Sequence, residues 1–235
     1  MKMRLLAVMA LSLVAAAVKA QGEIALDPDS AFCDGRRDAT SDIQSRLSKT
    51  NIASPRVYVL SAGQTCRVLG VLDIPEGVTL MGTFMSPGYF RDLPGQPFDT
   101  AGGIRLGPTG TIRLHSSSGL KALLVYRDGM AFPDDPAKFA GTAIQCAIPV
   151  HPTERRDLPI ADPFLQDVMI LGFAVGFSCI NASRPKLRGV SIDATNGILA
   201  CNSWDIATFR DIHIYPYATT LMRNHSPPEL DRRDG

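Results

Sequence analysis

The chain has 235 residues, a formal net charge of +1 and 45 % hydrophobic residues. Without Lys2, Arg4 and Lys19, which fall in an N-terminal leader, 21 basic residues face 23 acidic ones and the charge becomes −2. Neither value supplies the basic excess expected of a protein that binds nucleic acid or anionic lipid.

The leader reads as a secretory signal peptide over residues 1–20. Lys2 and Arg4 form a charged start. Leu5 to Val18 is apolar except for Ser12, and Val18-Lys19-Ala20 offers small residues for cleavage before Gln21. The apolar run is short for a membrane span and has no stop-transfer pattern behind it. The expected product is one domain of about 215 residues. It is secreted or periplasmic and carries no membrane segment. Nothing in the sequence speaks to its oligomeric state.

Gln21 to Asp38 is polar. Thr40 to Leu47 reads as a short helix, with Thr40 or Ser41 as cap, Asp42 in the first turn, and Ile43 and Leu47 on one apolar face. Strand chemistry follows at Arg56–Leu60, Cys66–Leu69, Val71–Ile74 and Val78–Met81, punctuated by Gly63, Gly70, Pro75-Glu-Gly77 and Gly82. Ser86 to Gly103 is a Gly- and Pro-rich loop. Strands are expected at Ile104–Leu106, Thr111–Leu114, Leu120–Tyr126 and Thr142–Val150, with loops at Asp128–Phe139 and His151–Pro163.

The last third carries a repeat. Leu165-Gln-Asp-Val-Met-Ile170, Leu187-Arg-Gly-Val-Ser-Ile192 and Phe209-Arg-Asp-Ile-His-Ile214 are one hexad with starts 22 residues apart. Twelve residues after each start stands Phe177, Leu199 or Leu221. A weaker fourth row is Ala143-Ile-Gln-Cys-Ala-Ile148. A fixed period with fixed apolar offsets marks a solenoid. No helical pattern of crossover length separates the strands, which argues against a βαβ fold. The expected class is all-β, a parallel β-helix of about 22 residues per coil with a short N-terminal helix over the first coil.

All five cysteines follow the leader: Cys33, Cys66, Cys146, Cys179 and Cys201. An exported chain meets an oxidising compartment, and an odd count leaves at least one thiol free or paired with another chain. There is no CxxC, no histidine pair at ligand spacing and no calcium-loop carboxylate cluster, so neither a metal nor a cofactor is evident.

Asp34-Gly35 followed by Arg-Arg-Asp-Ala-Thr-Ser-Asp-Ile-Gln resembles the opening of pectate-lyase-like proteins. Val57-Tyr-Val-Leu-Ser-Ala-Gly63 and Leu72-Asp-Ile-Pro-Glu-Gly-Val-Thr-Leu-Met-Gly82 resemble the segment after it, and the Phe-x-Asp-Ile-x-Ile rows resemble later coils. The resemblance covers most of residues 32–222. It implies a right-handed, single-stranded parallel β-helix with a capping helix, of the rhamnogalacturonase/epimerase type at its N-terminal part. It implies an acidic polysaccharide as partner, with lyase or glycoside hydrolase chemistry, and calcium enters only by that analogy. The hydrolase rows (Asn-Thr-Asp, Asp-Asp, Gly-His-Gly, Arg-Ile-Lys) and the Asp-Pro-His of the epimerases are missing, and Ser191-Ile-Asp-Ala194 is the nearest echo. Fold does not choose an activity, and hydrolysis needs two carboxylates across the bond. A non-catalytic glycan- or surface-binding β-helix, like tailspike shafts and adhesins, is the other reading.

With Val168 and Ile170 inward, Met169, Ser191 and His213 form one outward column and Leu171, Asp193 and Tyr215 the next, with Gln166, Arg188 and Arg210 as a third. Asp193 and His213 are the candidate catalytic residues, and Arg188, Arg210 and Tyr215 the candidate substrate-binding ones. Such outward polar residues are most often only solvated. Cys179 and Cys201 lie one period apart, within reach of a disulfide; the other reading is two buried thiols stacked in the core, favoured because in-register parallel neighbours have poor geometry for the bond. Cys33 and Cys66, in the cap and first coils, are the second candidate pair. Arg223 to Gly235 is a polar tail with Pro227-Pro228, which reads as a truncation point or as a segment folded back over the last coil.

Overall fold

The computed structural model describes residues 23–48, 56–83, 102–130, 134–147, 160–203 and 205–216. The leader 1–20, the polar tail 223–235, Leu221, Ile148 and most of the loops expected at 86–103 and 151–163 lie outside the described residues. No described helix is long and apolar enough to cross a membrane.

Fifteen of the described strands form one large sheet, Ile160–Ala161 and Ala182–Ser183 form a small second one, and all are joined in parallel, as a parallel β-solenoid requires. Three ladders run through the large sheet. The first links Ile24–Ala25, Arg56–Val59, Val78–Met81, Gly119–Lys121 and Phe164–Gln166 to the openings of Lys186–Cys201 and Thr208–Ile214. The second links Asp34–Asp38, Thr65–Val68, Gly103–Leu106, Leu124–Arg127 and the first half of Met169–Ile180 to the middle of Lys186–Cys201 and the end of Thr208–Ile214. The third links Val71–Ile74, Thr111–Leu114 and Thr142–Cys146 to the end of Met169–Ile180 and the end of Lys186–Cys201. Arg56 is opposite Val78, Phe164 opposite Lys186, and Lys186 opposite Thr208, each 22 residues on.

The hexad is not one straight strand. Leu165, Val168 and Ile170 are all buried in the core, which an alternation of period two cannot produce. Asp167 resolves this with a φ of 53°, Gly189 with 62° and Asp211 with 53°. One left-handed residue at the same place in each rung turns the chain from the first ladder into the second and resets which side faces in. Asp tolerates this conformation better than most residues, and Gly freely. Ala122, with φ 46°, does the same one rung earlier, and splits the strand expected at 120–126 into Gly119–Lys121 and Leu124–Arg127. Full burial of Leu187, Val190 and Ile192 contributes about 1.5–3 kcal/mol each to the rung that they fill.

A second irregularity follows. The pairing shifts between Leu171 and Phe173, where Gly172 has φ 87°, and the offset falls from 22 to 21. This is a β-bulge with glycine at the left-handed position. Phe177 therefore faces Ile198, and Leu199, its expected counterpart, is 40 % exposed. The row at Ala143 belongs to the third ladder, with Ile144 opposite Phe177, and not beside Leu165 as its spacing suggests.

The bulge also separates the cysteines. Cys179 faces Ala200, and Cys201 faces Ile180, exposed and free. Cys179 is instead bonded to Cys146 on the preceding rung, and Cys33 to Cys66. Cys146 and Cys179 are parallel neighbours, since Gln145 faces Ser178, so such neighbours do bridge here, at a strand end.

Helix α1 (Thr40–Leu47) stands where the first rung would otherwise need a strand of the third ladder. Ile43 and Leu47 are fully buried. Gln44 Oε1 accepts the Asp73 N–H at 2.8 Å and its Nε2 donates to the Asp73 carbonyl at 3.1 Å, so one side-chain amide serves the strand edge as a neighbouring backbone would. Thr40 Oγ1 accepts the N–H groups of Leu69 and Gly70 at 3.1 and 3.3 Å. Neither Thr40 nor Ser41 is the N-cap: Ala39 holds that position without a side-chain bond, and the Asp38 carboxylate takes the Thr40 N–H at 3.0 Å. Nearby, burial pushes the Asp27 carboxyl up, but bonds from the N–H groups of Cys33, Phe32 and Ala31 outweigh it and leave the carboxyl below its ordinary range.

Two stability outcomes follow. Gly189→Val forces a branched residue into φ +62° where a Cβ would collide with Asp167 Oδ1. It should cost about 2 kcal/mol or more in urea unfolding, and Gly189→Asn distinctly less. Replacing Cys146 and Cys179 by serine releases a crosslink that spans 33 residues, a loss of about 3–4 kcal/mol by chain entropy.

Candidate functional site

The first ladder places a basic column on its outer wall. Met81, Lys121, Gln166, Arg188 and Arg210 are successive register partners. Each is followed by a corner, and each is preceded by a buried residue of the ladder until the last rung: Leu80, Leu120, Leu165 and Leu187 are inside. At about 4.8 Å per rung, Lys121 and Arg210 are roughly 14 Å apart along the axis. Arg188 and Arg210 are exposed, and neither guanidinium engages another described side chain. Lys186 stands on the same wall, its Nζ 2.8 Å from Asp162 Oδ1.

Asp162 anchors the flank of that wall. It binds Arg184 Nη2 at 2.7 Å as well as Lys186, and Arg184 also reaches Asp205 at 3.3 Å. The bonds from Arg184 and Lys186 hold the Asp162 carboxyl down at about 2, against a smaller upward push from burial.

Three arginines of the second ladder are already committed. Arg67 and Arg105 are stacked partners on the second ladder with Asp128 between them, at 2.7 and 3.1 Å. Arg105 Nε is buried and not aligned on that oxygen, so charge rather than a hydrogen bond holds it there. Arg127 pairs with Asp134 and donates to the Gly172 carbonyl.

The remaining sequence candidates lie around the corner from the basic column. His213 is exposed and faces Ser191; Tyr215, whose N–H donates to the Ile192 carbonyl at 3.0 Å, comes level with Asp193. Asp193 and His213 are thus one rung and two residues apart. The outward columns were expected to be wet, but Met169, Leu171 and Ser191 are buried and Asp193 is only 5 % exposed. Leu124, Tyr126, Met169 and Leu171 are buried yet outside the core cluster, so this face carries a packed layer of its own. Met130 and the Arg127 side chain lie against Gly172 within it.

Two features escaped the sequence reading. Leu120-Lys-Ala-Leu-Leu-Val125 is another copy of the hexad, 45 residues before Leu165 and so off the 22-residue period. It contributes Lys121. Asp73, Arg113 and His115 meet on the third ladder: Asp73 Oδ1 is 3.1 Å from His115 Nε2 and 3.5 Å from Arg113 Nη1. The matching triplets Leu72-Asp-Ile74 and Ile112-Arg-Leu114 were the available signal. No group of three or more His, Cys, Asp or Glu able to hold a metal ion occurs among the described residues.

No family model matches the chain, and no curated protein matches it. Among solved structures, a "putative glycosyl hydrolase" from Parabacteroides merdae aligns over 81 % of this chain and 96 % of its own, with a TM-score of 0.45 and 9 % identity. That likeness is too distant to assign an activity.

The Asp162 carboxyl sits below its unfolded value of 3.8, so its stabilisation is present above about pH 4 and is lost as pH falls toward about 2. Asp162→Asn should flatten the acid limb of the stability curve in that window and leave it unchanged near neutrality apart from a constant offset, as read by urea midpoints from pH 2 to 7.

Proposed function

We propose that the protein is an exported, right-handed β-helix of the pectate-lyase-like kind that binds an acidic polysaccharide along the outer wall of its first ladder. The observation that carries this reading is the register of Lys121, Gln166, Arg188 and Arg210. A parallel solenoid repeats a side chain at every rung, so a cationic column offers evenly spaced partners to a polymer with evenly spaced carboxylates. Arg188 and Arg210, unpaired among the described side chains, hold the two strongest positions. Two disulfides fit an oxidising compartment, in keeping with the leader. The resemblance of the N-terminal segment supports the handedness and the capping role of α1.

For processing of the bound chain, the same reading assigns proton transfer to Asp193 and His213 and a sugar-stacking face to Tyr215, with Arg188 and Arg210 holding the carboxylates. Lysis requires a base for the proton beside the carboxylate and a cation to stabilise the anion formed. The alternative is a non-catalytic glycan-binding module.

Incubation with polygalacturonate and with alginate, following both the absorbance of unsaturated product and new reducing ends, separates the two. Product that disappears in Asp193→Asn and His213→Ala supports catalysis; binding without product supports the module. In either case Arg188→Ala with Arg210→Ala should weaken binding about tenfold or more, with a shallower dependence on salt. Unchanged binding in that double variant contradicts the proposed wall.

A further inference from the structure

The cations on the wall of the first ladder stand in one column, and exposed charges alone hold a partner weakly once salt screens them. A second column runs beside it, two residues earlier on each strand and so roughly 7 Å away. Its members Thr79, Gly119, Phe164, Lys186 and Thr208 are successive register partners. Phe164 is the aromatic residue among them. Leu165 is buried between Phe164 and Gln166, so these two lie on the outer side, and Phe164 is partly exposed there. Gly119 faces it from the preceding rung. A Cβ on Gly119 would stand 2.6 Å from both Cγ and Cδ1 of Phe164, so the ring leans over the space that the glycine leaves. On the following rung the Lys186 Nζ is held by Asp162 at 2.8 Å.

We infer that Phe164 is a sugar-stacking platform on this wall, and that a uronate residue rests one face of its pyranose ring on the phenyl ring. The assignment rests on the reading of the first ladder as a glycan-binding wall, and it adds an apolar contact to the ionic ones. The face of a pyranose presents C–H bonds with partial positive charge, and the face of a phenyl ring is negative. The two attract, and both shed water on contact. Lys121 and Arg188 are the diagonal neighbours of Phe164, one rung to either side in the cationic column. Each backbone position is roughly 8 Å away by strand rise and rung spacing. The carboxylate at the edge of the stacked sugar and one long cationic side chain span that distance together. Tyr215 lies around the corner from this column, so Phe164 is the aromatic side chain placed to share a sugar with Lys121 and Arg188. Stacking also sets what the wall accepts. A polyanion without a sugar ring can meet the cations but gains nothing from Phe164.

Calorimetric titration of the full chain with polygalacturonate, alginate and polyglutamate, each at low and high salt, tests it. Phe164→Leu keeps an apolar side chain but removes the ring. It should weaken binding of the uronate polymer by about tenfold, and by the same factor at both salt concentrations. Phe164→Tyr should bind as the parent does. Neither variant should change binding of polyglutamate, whereas Arg188→Ala with Arg210→Ala should weaken both kinds of polymer, most at low salt. On the parent, nuclear Overhauser effects are expected from the Phe164 ring protons to the C–H protons of the sugar, a readout that does not depend on how a variant folds. A parent that binds neither polygalacturonate nor alginate overturns the glycan reading and this platform with it. Binding that the arginine double variant weakens and a folded Phe164→Leu does not overturns the platform alone. So does a bound sugar with no Overhauser contact to the Phe164 ring.

Discussion

The hydrogen bond from one rung to the next is the interaction on which everything else rests. Each rung offers N–H and C=O groups on both edges, and only a neighbour in register satisfies them. That requirement fixes which residue lies over which. It puts Ile170 over Ile192 and Gln166 over Arg188, and so builds a core ladder and a surface column from the same constraint. The left-handed corner at Asp167, Gly189 and Asp211 is the device that lets one short hexad serve two ladders.

From this follows a simple logic for the surface. A side chain on the outer wall is repeated at the rung spacing, so like charges accumulate unless they are neutralised. The second ladder neutralises them: Asp128 sits between Arg67 and Arg105, and Asp134 takes Arg127. The first ladder does so only at its margin, where Asp162 takes Arg184 and Lys186. Arg188 and Arg210 are exposed on that wall and make no ion pair among the described residues. Stacked like charges cost stability, and the acidic polysaccharide proposed above would offset that cost. On the N-terminal side the same accounting of backbone groups brings in side chains: Gln44 serves Asp73, and Thr40 serves Leu69 and Gly70.

Much of the fold was legible because the repeat is local. The hexad, helix α1 and the short strands before residue 82 are carried by nearest-neighbour patterns of apolar residues, turns and glycines. What stayed hidden depends on single residues that change phase. Gly172 inserts one residue and moves every later partner by one, which misaligned Leu199 with Phe177 and Cys201 with Cys179. The long insertion before Phe164 concealed the hexad at Leu120, and with it Lys121. The site was less legible than the fold. Alternation set Asp193 on the outer face, where it is only 5 % exposed, beside a second buried layer around Leu124, Tyr126, Met169 and Leu171 that no spacing along one strand reveals. Arg188 and Arg210 were readable because both sit at the same hexad position and stay on the exposed side of the corner.

Interstrand nuclear Overhauser effects on isotope-labelled protein test the register most directly. Amide-to-amide and amide-to-Hα contacts are expected between residues 187 and 209 and between 190 and 212, an offset of 22, and after the bulge between residues 177 and 198, an offset of 21. Parallel pairing leaves no close Hα–Hα contacts among these strands. Strong Hα–Hα contacts between them, or an offset of 22 that persists beyond Gly172, would contradict it.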